Sequence, residues 1–86
     1  MPLMSESLTV HIVGGGGESD RTLVLERAGG GAVRVREWSD ANWAGPAAER
    51  VMAAEDVYAT VERAHRARRR VTVSLAELRA WLDGRI

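Results

Sequence analysis

Hydrophobic and polar positions alternate with a period of two in three segments of the N-terminal half, residues 8–13, 22–27 and 32–38. In the first of these, Leu8, Val10 and Ile12 share one face, and Thr9 and His11 lie on the other. This period is typical of half-buried β-strands, in which successive side chains point to opposite faces. Glycine-containing linkers join the segments, so they are expected to pair in chain order as an antiparallel meander.

The predicted meander has one apolar face, which must be covered by another element. Its members are Leu8, Val10, Ile12, Leu23, Leu25, Val33 and Val35. Arg34, Arg36 and Trp38 are placed on the opposite, outer face by the same alternation.

A longer period follows in residues 46–70, where apolar residues recur at spacings of three and four. These residues are Ala47, Val51, Ala54, Tyr58, Val61 and His65. This spacing predicts a single helix that begins at Pro46, runs to about Arg70 and covers the sheet. Pro46 suits the first helical position, because its missing N–H has no partner there in any case. Acidic residues come early in the segment and arginines late, an order that favours the helix dipole.

The C-terminal residues predict a short edge strand over 71–74 and then a second helix. Ser74 and Glu77 have the spacing of a capping box, and Gly84 suits the left-handed position after the helix. The element order is therefore β-β-β-α-β-α, an α+β fold in one domain over residues 1–86, with a flexible tail over 1–7. Trp38 and Trp43 flank a crossover loop, where they are either plugs at the sheet edge or an exposed binding platform.

Composition limits the function classes. The chain has 86 residues, a net charge of zero and no cysteine. A chain of this length has a thin core and commonly gains stability from a second copy or another partner. The first residues lack the apolar stretch of a signal peptide, and no apolar run reaches membrane-spanning length, so a cytoplasmic protein without membrane contact is expected.

No set of residues predicts catalysis. The glycines at 14–17 are followed by Glu18, Ser19 and Asp20, which do not open a phosphate-binding helix. The two histidines, His11 and His65, lie on different elements, too few for a zinc site. A small core also leaves little room for a substrate pocket. We therefore expect no enzyme, cofactor, metal or small-molecule substrate.

Two functions remain, and both use surfaces. The first is a small non-enzymatic protein-interaction or regulatory domain, either a homodimer or a subunit of a larger assembly. Its predicted partner-binding residues are Arg63, Arg66, Arg68, Arg69, Arg70, Leu78, Trp81 and Leu82. The second is nucleic-acid binding by the same arginines together with Arg34, Arg36 and Trp38, since arginine pairs with phosphate and tryptophan stacks on bases. Alternatively, the late arginines serve only the helix dipole and solubility, and Glu26 and Glu37 neutralise Arg34 and Arg36.

Two segments resemble a known family. Residues 32–38, AVRVREW, and residues 69–82, RRVTVSLAELRAWL, resemble parts of the positive-cofactor-four-type single-stranded-DNA-binding coactivators. The two segments together make up 21 of the 86 residues. It implies that Arg34 and Arg36 contact nucleic acid. The chain departs from the family in having a predicted helix between the two segments, where the family has a short loop, and in lacking lysine-rich strands.

Overall fold

The computed structural model describes residues 7–14, 19–39 and 47–84. These residues form four strands and two helices in the order β1 Ser7–Ile12, β2 Arg21–Gly29, β3 Ala32–Ser39, β4 Ala48–Ala53, α1 Ala54–Arg66 and α2 Leu75–Leu82. The strands make one sheet in chain order, and every neighbouring pair is antiparallel. The predicted α+β class is confirmed, but the predicted order β-β-β-α-β-α is wrong, because the fourth strand of the sheet precedes both helices.

The three predicted strands are present, and their registers explain the apolar face. Val10 lies opposite Leu23, and Leu25 lies opposite Val35. Gly30 and Gly31 have positive φ angles of 60° and 78° in the β2–β3 turn, a region that glycine enters without steric cost. β1 begins at Ser7, so the predicted tail is one residue too long; the rest of that tail lies outside the described residues.

The prediction of a helix beginning at Pro46 is wrong for the segment Ala48–Ala53, which is β4. Pro46 itself lies outside the described residues. In β4, Arg50 lies opposite Val35 and Met52 opposite Val33, so the strand pairs with the backbone groups along the edge of β3. Its alanines and glutamate favour a helix locally, but pairing with a strand distant in sequence overrides that preference. From Ala48 onward, the predicted single helix is therefore a strand followed directly by a shorter helix.

α1 confirms the predicted helix from Ala54 to Arg66 and covers the sheet. Its buried residues are Val57, Val61 and Ala64. They join the strand side chains and three residues of the C-terminal segment in one core, whose members are Val10, Ile12, Leu23, Leu25, Val33, Val35, Val57, Val61, Ala64, Val73, Leu78 and Trp81. Both helices thus lie on the same face of the sheet, called here the inner face.

α1 ends before the predicted Arg70 because the chain reverses at Arg68, whose φ is 60°. The Arg68 N–H donates to His65 O at 3.0 Å, and the Arg69 N–H donates to Ala64 O at 3.1 Å. This pair of hydrogen bonds is a Schellman motif, in which glycine usually holds the left-handed position. Here an arginine holds it.

The predicted edge strand over 71–74 is reduced to a single bridge between Val71 and Ile12. The segment nevertheless lies along the β1 edge: Val13 N–H donates to Arg70 O at 2.8 Å, and Thr72 N–H donates to His11 O at 3.1 Å. The Ser74 cap is confirmed, with its Oγ accepting from the Glu77 N–H at 3.0 Å. None of the helices in the described part of the chain is both long and apolar enough to cross a bilayer.

Candidate anion-binding cleft

A polar strip continues the inner face beyond the core, at the sheet end where β2 begins and β3 ends. Glu37 of β3 lies between two arginines of neighbouring strands. Arg21 donates through Nε to Glu37 Oε2 at 2.7 Å, and Arg50 donates through Nη2 to Glu37 Oε1 at 3.0 Å. The Glu37 side chain is 18% exposed, so one carboxylate is held between two guanidinium groups in a half-enclosed setting.

The charge state of Glu37 follows from these contacts. The hydrogen bond from Arg21 is the largest influence and holds the pKa of the Glu37 carboxyl below its usual range, and the bond from Arg50 acts in the same direction. Partial burial opposes both by disfavouring the charged form. Glu37 is therefore ionised at neutral pH and occupies one side of both guanidinium groups.

α1 and the turn after it form the opposite wall of a cleft of about 470 Å³. Thr60 and Arg63 face it from α1, and Arg69 faces it from the turn. The described residues that line it are Ile12, Gly14, Ser19, Arg21, Arg50, Met52, Thr60, Arg63, Ala64, Ala67 and Arg69. We call this the arginine cleft.

Four guanidinium groups from four parts of the chain thus line one cleft. Two of them, Arg21 and Arg50, share the single carboxylate of Glu37. Arg63 has no ion pair with any residue of the described ranges. A second carboxylate, that of Asp20, accepts from the N–H of the lining residue Gly14 at 2.7 Å. Counting the described residues alone, the cleft therefore has an excess of positive charge, in a space that the sheet and α1 partly screen from water.

The left-handed backbone of Arg68 is the local reason why Arg69 faces the cleft. A residue that continued the helix would carry the chain past the end of the sheet. The reversal at Arg68 instead returns the chain toward β1, where Arg70 O accepts from Val13 N–H. A non-glycine residue in this conformation costs roughly 1–2 kcal/mol. The strain lies directly beside a residue of the cleft.

The predicted arginine cluster is divided by the structure. Arg63 and Arg69 line the cleft, whereas Arg66 points away and pairs with Glu62 at 3.5 Å. Arg68 and Arg70 are exposed and do not line it. The cluster is therefore not one continuous basic surface.

The predicted apolar partner surface is mostly core. Leu78 is fully buried and Trp81 is 1% exposed, whereas Leu82 is half-buried. The Arg27 guanidinium lies 4.2 Å from the centroid of the Trp81 ring and donates through Nη2 to Trp81 O at 2.8 Å. Leu78 and Trp81 thus pack α2 against the sheet and are not accessible at the surface of a single chain.

The outer face of the sheet carries the three residues proposed for nucleic acid. Trp38 lies opposite Thr22 and is half-buried, so the ring is neither a core plug nor fully open. Trp43 lies outside the described residues. The charges on this face are balanced by short-range ion pairs.

Two pairs make this balance. Arg36 pairs with Glu26, as one alternative predicted, and Arg34 lies 3.7 Å from Glu49. The other predicted neutralising residue, Glu37, lies on the inner face instead. Within the described ranges, both outer-face arginines, Arg34 and Arg36, are therefore paired with glutamates.

Sequence reasoning missed Arg21 and Arg50. Arg21 immediately precedes the predicted second strand, and Arg50 was assigned to a helix. The period-two placement of Arg50 with Met52 was the available signal, but it has meaning only once residues 48–53 are known to be a strand. Nothing local to either residue indicates that they meet at Glu37.

Comparison of the chain with protein-family models, curated proteins and solved structures found no match. The comparisons therefore lend no support to the resemblance of residues 32–38 and 69–82 to the single-stranded-DNA-binding coactivators. Among the histidines and carboxylates of the ranges that the structure describes, no group of three or more is placed to hold a metal ion.

Proposed function

We propose that this protein is a non-enzymatic interaction domain that binds an oxyanion-bearing segment of a partner protein in the arginine cleft. The observation that carries this proposal is the convergence of Arg21, Arg50, Arg63 and Arg69 on one cleft of about 470 Å³. These residues belong to two strands, a helix and a turn, so the four charges come together only in the folded chain.

Guanidinium groups suit this task because each presents a planar fork of N–H donors that matches two oxygens of a carboxylate or phosphate. The Thr60 hydroxyl faces the same cleft, although it also donates to Asp56 O at 2.9 Å. The apolar wall, formed by Ile12, Met52 and Ala64, would contact the carbon atoms of a bound side chain. A segment that carries aspartate, glutamate or a phosphorylated residue offers oxygens to the guanidinium groups and carbon atoms to the apolar wall.

The arrangement favours a protein segment over nucleic acid. Single-stranded nucleic acid is commonly held by basic groups together with aromatic rings on which the bases stack. Among the residues that the structure describes, none of those lining the arginine cleft is aromatic. Trp38 lies on the outer face of the sheet, where Arg34 and Arg36 are already paired with glutamates. In the described part of the chain, the cleft arginines and Trp38 therefore lie on opposite faces of the sheet.

Arg63 gives the sharpest test, because it lines the cleft without an ion pair in the described ranges. The full chain is titrated with three probes at physiological salt: a glutamate-rich peptide, a phosphoserine peptide and an oligothymidylate. We expect both peptides to bind more tightly than the oligonucleotide. Arg63→Gln should weaken peptide binding about tenfold, the effect of losing one charge-assisted hydrogen bond.

Arg66→Gln is the matched control, since Arg66 lies on the same helix but outside the cleft. It should leave the peptide affinity within about twofold of the wild type, as expected for a screened surface charge. Equal losses from both variants would place binding outside the cleft and overturn the proposal. Tighter binding of the oligonucleotide would instead favour the nucleic-acid function, and the two peptides distinguish carboxylate from phosphate as the preferred oxyanion.

A further inference from the structure

The two edges of the sheet differ in how they are protected. The β1 edge is covered near Ile12 by the segment after α1, which supplies the bridge at Val71 and the hydrogen bonds of Arg70 and Thr72. In the described part of the chain, nothing pairs with the free edge of β4. An open edge presents unpaired N–H and C=O groups that another strand can use.

Val51, in the middle of β4, is the most exposed large hydrophobic residue of the described ranges, at 62% of its surface. It lies on the outer face, opposite Arg34 of β3. Its exposure contrasts with the strand valines of the inner face, which are buried. The open backbone edge and this exposed valine lie at the same place.

We infer that β4 pairs antiparallel with β4 of a second copy of this chain, with Val51 opposite Val51 of that copy. Side chains that lie opposite each other in an antiparallel pair are on the same face of the sheet. The inner faces of the two copies are therefore continuous only if even-numbered residues of β4 lie opposite even-numbered ones and odd opposite odd. Charge decides among those registers. Centring the pair on Glu49 or on Arg50 would place like charges opposite each other, which is destabilising.

Centring the pair on Val51 avoids both contacts. It places Glu49 opposite Ala53 and Arg50 opposite Met52, and it brings the two exposed valines together on the outer face. Centring it on Met52 leaves fewer residues paired. In a twofold contact between two β4 strands each copy uses its open β4 edge once, so the assembly closes as a dimer with a continuous sheet.

The same register connects the dimer to the arginine cleft. Met52 lines the cleft, and Arg50 of the second copy lies opposite it on the inner face. Each copy thus adds a guanidinium group to the rim of the other copy's cleft. This consequence rests on the proposed function, whereas the strand pairing does not.

Because the chain has no cysteine, single cysteines report the register directly. Opposite residues in an antiparallel pair have Cα atoms about 4.5–5.5 Å apart, within the range that a disulfide spans. Val51→Cys should therefore form a covalent dimer readily on mild oxidation. Glu49→Cys alone should not, but a mixture of the Glu49→Cys and Ala53→Cys proteins should form the mixed dimer. Faster self-linking of Glu49→Cys would overturn the register.

Light scattering on the full chain tests the dimer itself. The wild type and Val51→Thr should be dimeric at micromolar concentrations, whereas Val51→Glu should be monomeric with an unchanged circular dichroism spectrum, since Val51 contributes nothing to the core. A monomeric wild type, or a dimer that survives Val51→Glu, would overturn the inference. If monomeric Val51→Glu still binds the acidic peptide, and adding Arg63→Gln weakens that binding, the proposed function holds independently of the dimer.

Discussion

Arg21 and Glu37 join β2 to β3 across the inner face of the sheet, with 2.7 Å between the arginine Nε and the carboxylate Oε2. The same carboxylate also accepts from Arg50. Glu37 therefore has two opposed effects. It stabilises the sheet end by bringing two strands' arginines together, and it occupies donors that an anionic ligand would otherwise use.

Glu37→Gln should change stability and binding in opposite directions. The neutral amide loses both ion pairs but leaves Arg21 and Arg50 available to the ligand. We expect the free energy of unfolding to fall by about 1–2 kcal/mol and the affinity for the glutamate-rich peptide to rise severalfold. Urea unfolding and peptide titration measure the two effects. Glu26→Gln, on the outer face, is the control that should leave peptide affinity unchanged. Weaker peptide binding by Glu37→Gln would show that the Glu37 carboxylate does not compete with the ligand for Arg21 and Arg50.

The lowered pKa of Glu37 predicts acid sensitivity with a definite sign. The folded state binds the proton less tightly than the unfolded chain, so Glu37 contributes its stability above the ordinary glutamate pKa of about 4.3. That contribution is lost as the pH falls through the lower pKa of the folded state. Glu55 adds to the same trend, since its hydrogen bond from Arg79 also lowers its pKa.

Unfolding free energies measured from neutral pH down to about pH 3 check this dependence. The wild type should lose stability below about pH 4.5, and Glu37→Gln should lose less over the same range. Parallel declines of the two proteins would assign the acid sensitivity to other carboxyl groups.

Arg68→Gly should stabilise the protein. Arg68 has a φ of 60°, a conformation that glycine adopts without the contact between Cβ and the backbone. Relief of that contact outweighs the greater freedom of glycine in the unfolded chain, for a net gain of about 0.5–1 kcal/mol. A higher midpoint of thermal unfolding would show it. Arg70→Gly, at an exposed position without a positive φ, should instead be neutral or destabilising; equal shifts for both would exclude strain as the cause.

Trp81→Ala should be among the most destabilising single changes. The ring is 1% exposed, packs in the core and carries the Arg27 guanidinium above it. Removing a buried tryptophan costs roughly 3–5 kcal/mol, a large part of the stability of a chain this small. Trp81→Phe, which keeps most of the apolar area, should retain the fold at reduced stability. A wild-type unfolding curve for Trp81→Ala would contradict its place in the core.

The sequence by itself determined the elements whose causes are local. Alternation placed β1, β2 and β3, three- and four-residue spacing placed α1 from Ala54 onward, and the Ser74 hydroxyl and Gly84 marked the ends of α2. Each of these depends on residues within a few positions of one another. The same reasoning predicted Arg63 and Arg69 as partner-binding residues, and it provided no means of separating them from Arg66.

The tertiary structure decided everything that depends on a partner distant in the chain. Residues 48–53 have a helical composition, but they form a strand because pairing with the edge of β3 outweighs that local preference. Trp81 is core because the sheet and α1 leave a space that it fills. The arginine cleft exists because Arg21 of β2 and Arg50 of β4 meet at Glu37, opposite α1 and the turn after it, and no local period encodes that arrangement.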